Sequence, residues 1–314
     1  MERRLIAMGE LLVDLIQTES IKPSDGPIYQ AHAGGAPANV AYCVAKLGGK
    51  SLMLSKVGMD PFGDFLLREL GQGPVDTSHI LRSEHLKTSL ALVALGANGE
   101  REFQFYRDHA ADLDFDAADL DPSVFRHHDF FHFGSVNLST PQSLAAHLEA
   151  IRLSRLAGMT VSFDPNLRFN LWDDRLRLIN TVLEFIPMAD IIKLSETELS
   201  ALTGNIGEKT AVKKLFTGFV KLIIVTKGDK GVSLYSDTSQ IDVDAAKVTA
   251  IDTTGAGDAF MGAFIFRMMQ RQTLSRQVLD YLPDLIFAGK VAGYVVQRHG
   301  AISAMPTLND LEKH

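Results

Sequence analysis

Residues 130–164, FFHFGSVNLSTPQSLAAHLEAIRLSRLAGMTVSFD, place an apolar run, an amphipathic stretch and a second β-prone run in a row. Phe130 to Phe133 predicts a strand, Pro141 to Ala157 a helix and Thr160 to Asp164 the next strand. Within the helix Leu144, Leu148 and Ile151 fall at i, i+4 and i+7, the spacing of one buried stripe. The alternation continues outward, with Asp173 to Ile186 as helix and Asp190 to Leu194 as strand. Leu222 to Val225 is a short continuous apolar run, as in a strand covered on both faces. The expected class is therefore α/β, three layers with a mostly parallel sheet between helices.

The first third reads differently. Ser89 to Leu95 and Glu100 to Tyr106 alternate in polarity and join through Asn98-Gly99, a hairpin signal. They predict a small antiparallel element, a lid, with strands drawn from about 11–33 and 87–108 on a single domain of 1–314. Phe103 and Phe105 share one face of it, which the main body, a ligand or another subunit must cover. The N-terminal MERRLIAMGELLVDLI imitates a signal peptide, but Glu10 and Asp14 interrupt its apolar run, so it reads as buried strand. Leu285 to Val296 is shorter than the roughly 20 apolar residues of a membrane span and carries Lys290. No Pro-, Gly- or Ser-rich linker and no internal repeat divides the 314 residues.

Thirty-one Lys and Arg against thirty-eight Asp and Glu give a net charge of −7, which argues against nucleic-acid and anionic-membrane partners. A lone cysteine, Cys43, forms no internal disulfide and no cysteine-rich zinc site, and suits a reducing cytoplasm. It shares an apolar helix face with Val40, Val44 and Leu47, where a thiol fills core. His127, His128, Asp129 and His132 look like metal ligands, yet they fall around a strand start that scatters side chains to opposite faces.

The chemistry concentrates in residues 251–264, IDTTGAGDAFMGAF, where turn formers lead into a helix of small and apolar residues. The backbone N–H groups of Gly255, Ala256 and Gly257 can converge on an anion, and the helix start adds its positive end. Asp258 is the odd member: a carboxylate beside an anion hole repels phosphate unless it takes a proton, although an Asp there could also cap the helix. The Gly-Lys-Ser/Thr ending of a Walker A loop is missing.

This stretch resembles the C-terminal signature of the ribokinase-like carbohydrate kinases, the PfkB family, and AGGAPANVAYCVAKLGG at 33–49 resembles their N-terminal one. FDPNLRFNLW from Phe163, KLSETELSALTG from Lys193 and VTKGDKG from Val225 follow in the family's order, and GEREFQFYRDHAAD from Gly99 looks like the fructokinase branch. The resemblance implies transfer of the ATP γ-phosphoryl group to a sugar hydroxyl, most specifically the 6-hydroxyl of fructose, with Asp258 as base and Gly255 to Gly257 stabilising the transferred group. Ribose, 2-keto-3-deoxygluconate and aminoimidazole riboside are the alternative acceptors, and a catalytically silent regulatory homologue is the alternative from another class.

For the sugar, the resemblance points to Asp14, Gly34, Gly35, Asn39, Arg168 and the lid residues Phe103 and Phe105. Read without it, Asp14 ends a strand, Gly34-Gly35 makes a turn and Arg168 forms a surface ion pair. For the nucleotide it points to Thr226, Gly228 and Gly231 in a strand-to-strand turn, to Lys193, and to Gly289, where many relatives carry Asn. Glu198 matches an acidic residue that organises Mg²⁺ through water; alone, it and Lys193 read as a solvated helix face. A K⁺ site is implied around Asp252, Thr254 and Gly300, and a homodimer formed through the lid.

Overall fold

The apolar runs from residue 130 onward lie side by side in one sheet of the computed structural model, which describes residues 3–18, 26–95, 101–271, 273–275 and 277–313. The strands are β1 (Arg4–Met8), β2 (Leu12–Thr18), β3 (Ile28–Gly34), β4 (Lys50–Gly58), β5 (Val75–Asp76), β6 (Ile80–Ser83), β7 (Ser89–Leu95) and β8 (Arg101–Tyr106). They continue as β9 (Phe130–Gly134), β10 (Thr160–Asp164), β11 (Ile191–Ser195), β12 (Leu222–Thr226), β13 (Val232–Tyr235) and β14 (Gln240–Val243). The helices are α1 (Ala36–Lys46), α2 (Pro61–Gln72), α3 (Pro141–Leu156), α4 (Arg175–Phe185), α5 (Glu196–Thr203), α6 (Glu208–Leu215), α7 (Ala256–Met269), α8 (Leu282–Val295) and α9 (Leu308–Glu312).

The main sheet runs β14-β13-β12-β11-β10-β9-β1-β4-β5, with β6 also on β4. Pairing is parallel from β12 to β5 and antiparallel only for β13 and β14. Because side chains alternate along a strand, β9 sends Phe131 and Phe133 into a core shared with α3 and α4, and Phe130 into a second core shared with α1, α7 and α8. Three layers result, as the alternation of runs predicts.

Three local expectations need correction. The N-terminal run is two strands in two sheets: β1 ends at Met8, and Gly9, at φ 145°, turns the chain toward β2 where a Cβ would lie 2.8 Å from Pro37. In α3, Leu148 is 38% exposed, and the buried stripe is instead Ser143, Ala146, His147, Ala150, Ile151 and Ser154, in which Ser143, Ala146, Ala150 and Ser154 are small enough to let the helix lie close on the sheet. Helix α4 starts at Arg175 rather than Asp173, because the Asp174 carboxylate accepts from Leu176 N at 2.8 Å and caps it.

The small sheet has the order β3-β2-β7-β8. Its centre is not antiparallel: β2 and β7 run parallel, since they come from separate excursions of the chain and no hairpin turn dictates their direction. The Asn98-Gly99 turn lies outside the described residues. Register places Asp14 beside His32 and Ala91, and Ala91 beside Phe105, so Asp14 and Phe105 share a face. The base of this sheet is fixed by buried Arg107, which pairs with Asp112 and donates to Ser89 Oγ at 3.1 Å and to Asn137 Oδ1 at 2.9 Å.

Candidate functional site

The first turn of α7 is built on Gly255, at φ 75° in the left-handed region, where a Cβ would meet Ala301 Cβ at 2.6 Å. Only glycine adopts this conformation without strain, and within the turn the Ala256 N–H is already used, donating to Thr253 O at 3.3 Å. Asp258 is the third residue of the helix and does not cap it. Its carboxylate accepts from Asn39 Nδ2 at 2.7 Å, across from α1. Burial pushes its pKa up, against the opposing pull of that hydrogen bond and of the Lys193 and Arg168 charges. Asn39 therefore orients the Asp258 carboxylate, while its own buried Oδ1 has no partner in the chain.

A cavity of about 710 Å³ is lined by Asp14, Asn39, Phe105, Arg168 and Asp258, and also by Glu10. Burial pushes the Asp14 carboxyl up to about 6, Arg168 opposing. Gly35 lines this cavity, but Gly34 serves Asp14: a Cβ there would lie 2.3 Å from Asp14 Oδ2. The side chain of Phe103 lies outside the described residues. Polar groups that converge on an enclosed space beside an apolar ring suit a small polyol.

A second cleft, of about 750 Å³, is lined by Thr226, Gly228, Gly231, Phe260 and Gly289, with apolar walls from β14 and α8. Gly228 and Gly231 have φ of 60° and 99°, and a Cβ at Gly231 would lie 2.0 Å from Val243 O. A Cβ at Gly289 would meet nothing, so the α8 wall is flat there. Lys227 faces away and ties the loop to α6 through Glu208 Oε1 at 2.8 Å. Ala250, Thr253 and Gly257 line both cavities, and Ala256 lines the cleft, so the anion cradle lies where the two meet.

Lys193 lines the first cavity at this junction, with Nζ 3.2 Å from where a Gly257 Cβ would stand. It is buried and paired with Asp164, whose Oδ1 has no partner. Asp164 was not singled out by the sequence reading; its place at the C-terminal end of β10, where open α/β sheets gather ligands, is the signal that marks it. Glu10 was passed over as well, although it is a carboxylate inside an apolar run.

The implied metal residues look inward. Glu198 Oε2 accepts from Ser195 N and Oγ at 2.8 Å, closing the capping box of α5, and Oε1 accepts from Leu167 N at 2.7 Å, so both oxygens clamp the loop that carries Arg168. Asp252 accepts from Thr254 N at 2.9 Å and Gly300 N at 3.0 Å, joining the cradle loop to the C-terminal loop. His132 Nδ1 meets Ser162 Oγ at 2.9 Å with its pKa pushed down to about 3 by burial, while Asp129 pairs with Arg4 and Arg126. Among the described residues no group of three or more His, Cys, Asp or Glu could hold a metal. Burial pushes the Cys43 thiol up, and it fills core beside Ala259.

A family model described as pfkB family carbohydrate kinase matches residues 2–308. The chain is 37% identical over 305 residues to fructokinase-1 of Oryza sativa subsp. japonica, covering 96% of this chain and 94% of the rice protein. Among solved structures it is similar to a fructokinase of Xylella fastidiosa with bound ATP, at TM-score 0.91 and 32% identity over 100% of this chain and 98% of the other. It is also similar to a fructokinase of Vibrio cholerae O395 in a form with bound fructose, ADP and calcium ion, at TM-score 0.90 and 33% identity over 99% and 98%.

Proposed function

This chain belongs to the pfkB family of carbohydrate kinases, a family of sugar phosphotransferases, and on that premise we propose that it is a fructokinase, converting ATP and D-fructose to ADP and D-fructose 6-phosphate. One observation carries the proposal: the polar cavity and the apolar-walled cleft share the wall at Gly257, with Asp258 on the cavity side. Fructose occupies the cavity, its ring hydroxyls on Asp14 and Arg168 and Phe105 over it. The nucleotide occupies the cleft, its phosphates along Thr226, Gly228 and Gly231 and its γ-phosphoryl group at the N–H groups of Gly255 and Gly257.

The 6-hydroxyl then meets Asp258, which takes its proton as the oxygen attacks phosphorus. A positioned base contributes on the order of 10² to 10⁴-fold. The cradle stabilises charge on the transferred group, where positioning and electrostatics are most of the catalysis. Mg²⁺ travels with the nucleotide phosphates, whose charge it neutralises when bound. Glu198, with both oxygens already bonded to Leu167 and Ser195, would reach the ion only through water, and the unpartnered Asp164 Oδ1 would be the second acceptor, since Mg²⁺ retains several waters. K⁺, if bound, would be held by backbone carbonyls of the two loops that Asp252 ties together.

Two further parts of this reading concern the molecule's surroundings. The outer part of the Asp14 face of the small sheet carries Ile16 and Ile28, the latter 41% exposed, which supports a homodimer formed lid to lid. A reducing cytoplasm suits the buried free thiol of Cys43.

The test is sugar-dependent ADP release with fructose, ribose, 2-keto-3-deoxygluconate and aminoimidazole riboside as acceptors. Fructose should give the highest kcat/KM, and a preference for another acceptor by more than about tenfold, ~1.4 kcal/mol in the barrier, would overturn it. Absence of ADP release with every sugar would return the silent regulatory homologue.

A further inference from the structure

We propose that Glu10 is a sugar-binding and specificity-determining residue, whose free carboxyl oxygen takes an acceptor hydroxyl other than the one phosphorylated. The proposal rests on the reading of the first cavity as the sugar site. Glu10 follows the C-terminal end of β1 and lines that cavity, yet its side chain is almost wholly buried, the residue being 3% exposed. Oε1 accepts from Ala36 N, the first residue of α1, at 3.0 Å. Oε2 has no partner.

Satisfying a helix start accounts for one oxygen, and a smaller or neutral side chain could do it. It does not account for a second buried oxygen left without a bond, an arrangement that folding alone disfavours. A phosphate would be repelled by the carboxylate, and among the described residues no cluster of His, Cys, Asp or Glu accompanies Glu10 to hold a metal ion. A hydroxyl suits it in either protonation state, because a hydroxyl both donates and accepts. Burial pushes the carboxyl up to about 7, opposed by Arg107 and by the backbone N–H groups of Glu10 and Ala36 and reinforced by Asp112, so both states are accessible near neutral pH. The bond to Ala36 holds the carboxyl in place before sugar arrives. Gly35 keeps the turn close, since a Cβ there would lie 2.2 Å from Glu10 O.

The experiment is a cycle between enzyme and substrate, run on the whole chain. KM and kcat are measured for wild type and Glu10→Ala with fructose and with 1-, 3- and 4-deoxyfructose, with the KM for ATP as a control. Glu10→Ala should raise the fructose KM about tenfold or more, with kcat and the ATP KM within about twofold. For the analogue lacking the hydroxyl that Glu10 takes, wild type and variant should have the same KM; Glu10→Gln, which keeps the Ala36 bond and offers an amide to the sugar, should restore most of the loss. An equal penalty on fructose and on every deoxy analogue, or none on any, would overturn the proposal and leave Glu10 as the cap of α1. If Glu10→Ala does not fold, Glu10→Met, which fills the same space without a hydrogen-bonding oxygen, carries the same cycle and the same criteria. If wild type prefers another sugar, the fructose reading fails by itself, and the deoxy analogues of that sugar test Glu10.

Discussion

Asp258 keeps its carboxylate on Asn39 Nδ2 and leaves the helix cap to Gly255, so removing its charge while retaining its shape separates catalysis from folding. Asp258→Asn should melt with the wild type and still bind both substrates, while kcat falls by at least about 10²-fold and added Mg²⁺ restores none of it. Near-normal kcat in a clean preparation would end the mechanism. The base must be ionised and burial raises its pKa, so kcat should rise with pH along an acid limb displaced above the ordinary aspartate range. Asp14, pushed up to about 6, should act on the sugar: kcat/KM for fructose falls as pH drops through about 6, when the carboxylate that accepts from hydroxyls is lost. Asp14→Ala should raise the fructose KM about 10- to 100-fold, from the ~1.5–3 kcal/mol of a charge-assisted hydrogen bond. An equal loss of ATP affinity would instead assign Asp14 a folding role.

At the scale of elements, the small sheet reaches the cavity through one half-buried ring. Phe105→Ala should raise the fructose KM by about 5- to 10-fold, ~1–1.4 kcal/mol and so below the ~1.5–3 kcal/mol for burying such a side chain fully, since the ring is already partly covered. An unchanged fructose KM, with a protein that sediments only as a monomer, would count against both uses of this face. The main strands were legible because each is a short apolar run between polar turns, and the parallel strands of a covered sheet need nothing subtler. The direction of β2 against β7 was not, because topology decides it and no local pattern records it. Period 3.6 drew Leu148 into the α3 stripe, whereas the neighbouring Ala146–Ala150 line is what the sheet covers. Within the site, Asp14, Asp258 and the cradle could be read from ordered motifs. Glu10 and Asp164 could not, since their meaning lies in partners 26 and 29 residues away, Ala36 N and Lys193 Nζ.

Across the whole molecule, buried groups titrate in opposition. The fold holds protons on Glu10 up to about 7 and on Asp14 and Asp164 up to about 6, and burial raises Asp258 as well, so their contribution is present at low pH and lost as pH rises through their folded values. Burial pushes His132 and His147 down to about 3 and 4; the unfolded chain protonates them below about 6.5 and the fold does not, so their contribution is lost as pH falls. Between about pH 5 and 6.5 the two effects oppose each other, and below about 3.5 the carboxyls are mostly neutral in both states while the histidines still favour unfolding. The thermal midpoint of the ligand-free protein should therefore hold or rise from pH 7 to 5 and fall below about 4; a steady decline from pH 7 would contradict this balance of buried groups. The contact between the two cavities has a pharmacological consequence. Because both are lined by Ala250, Thr253 and Gly257, a single inhibitor of fructose joined to adenosine by an oligophosphate could fill both. Its second half would bind at the high effective concentration of a tether, and its affinity should rise sharply with the first phosphate bridge long enough to pass Gly257, then ease as further phosphates add slack.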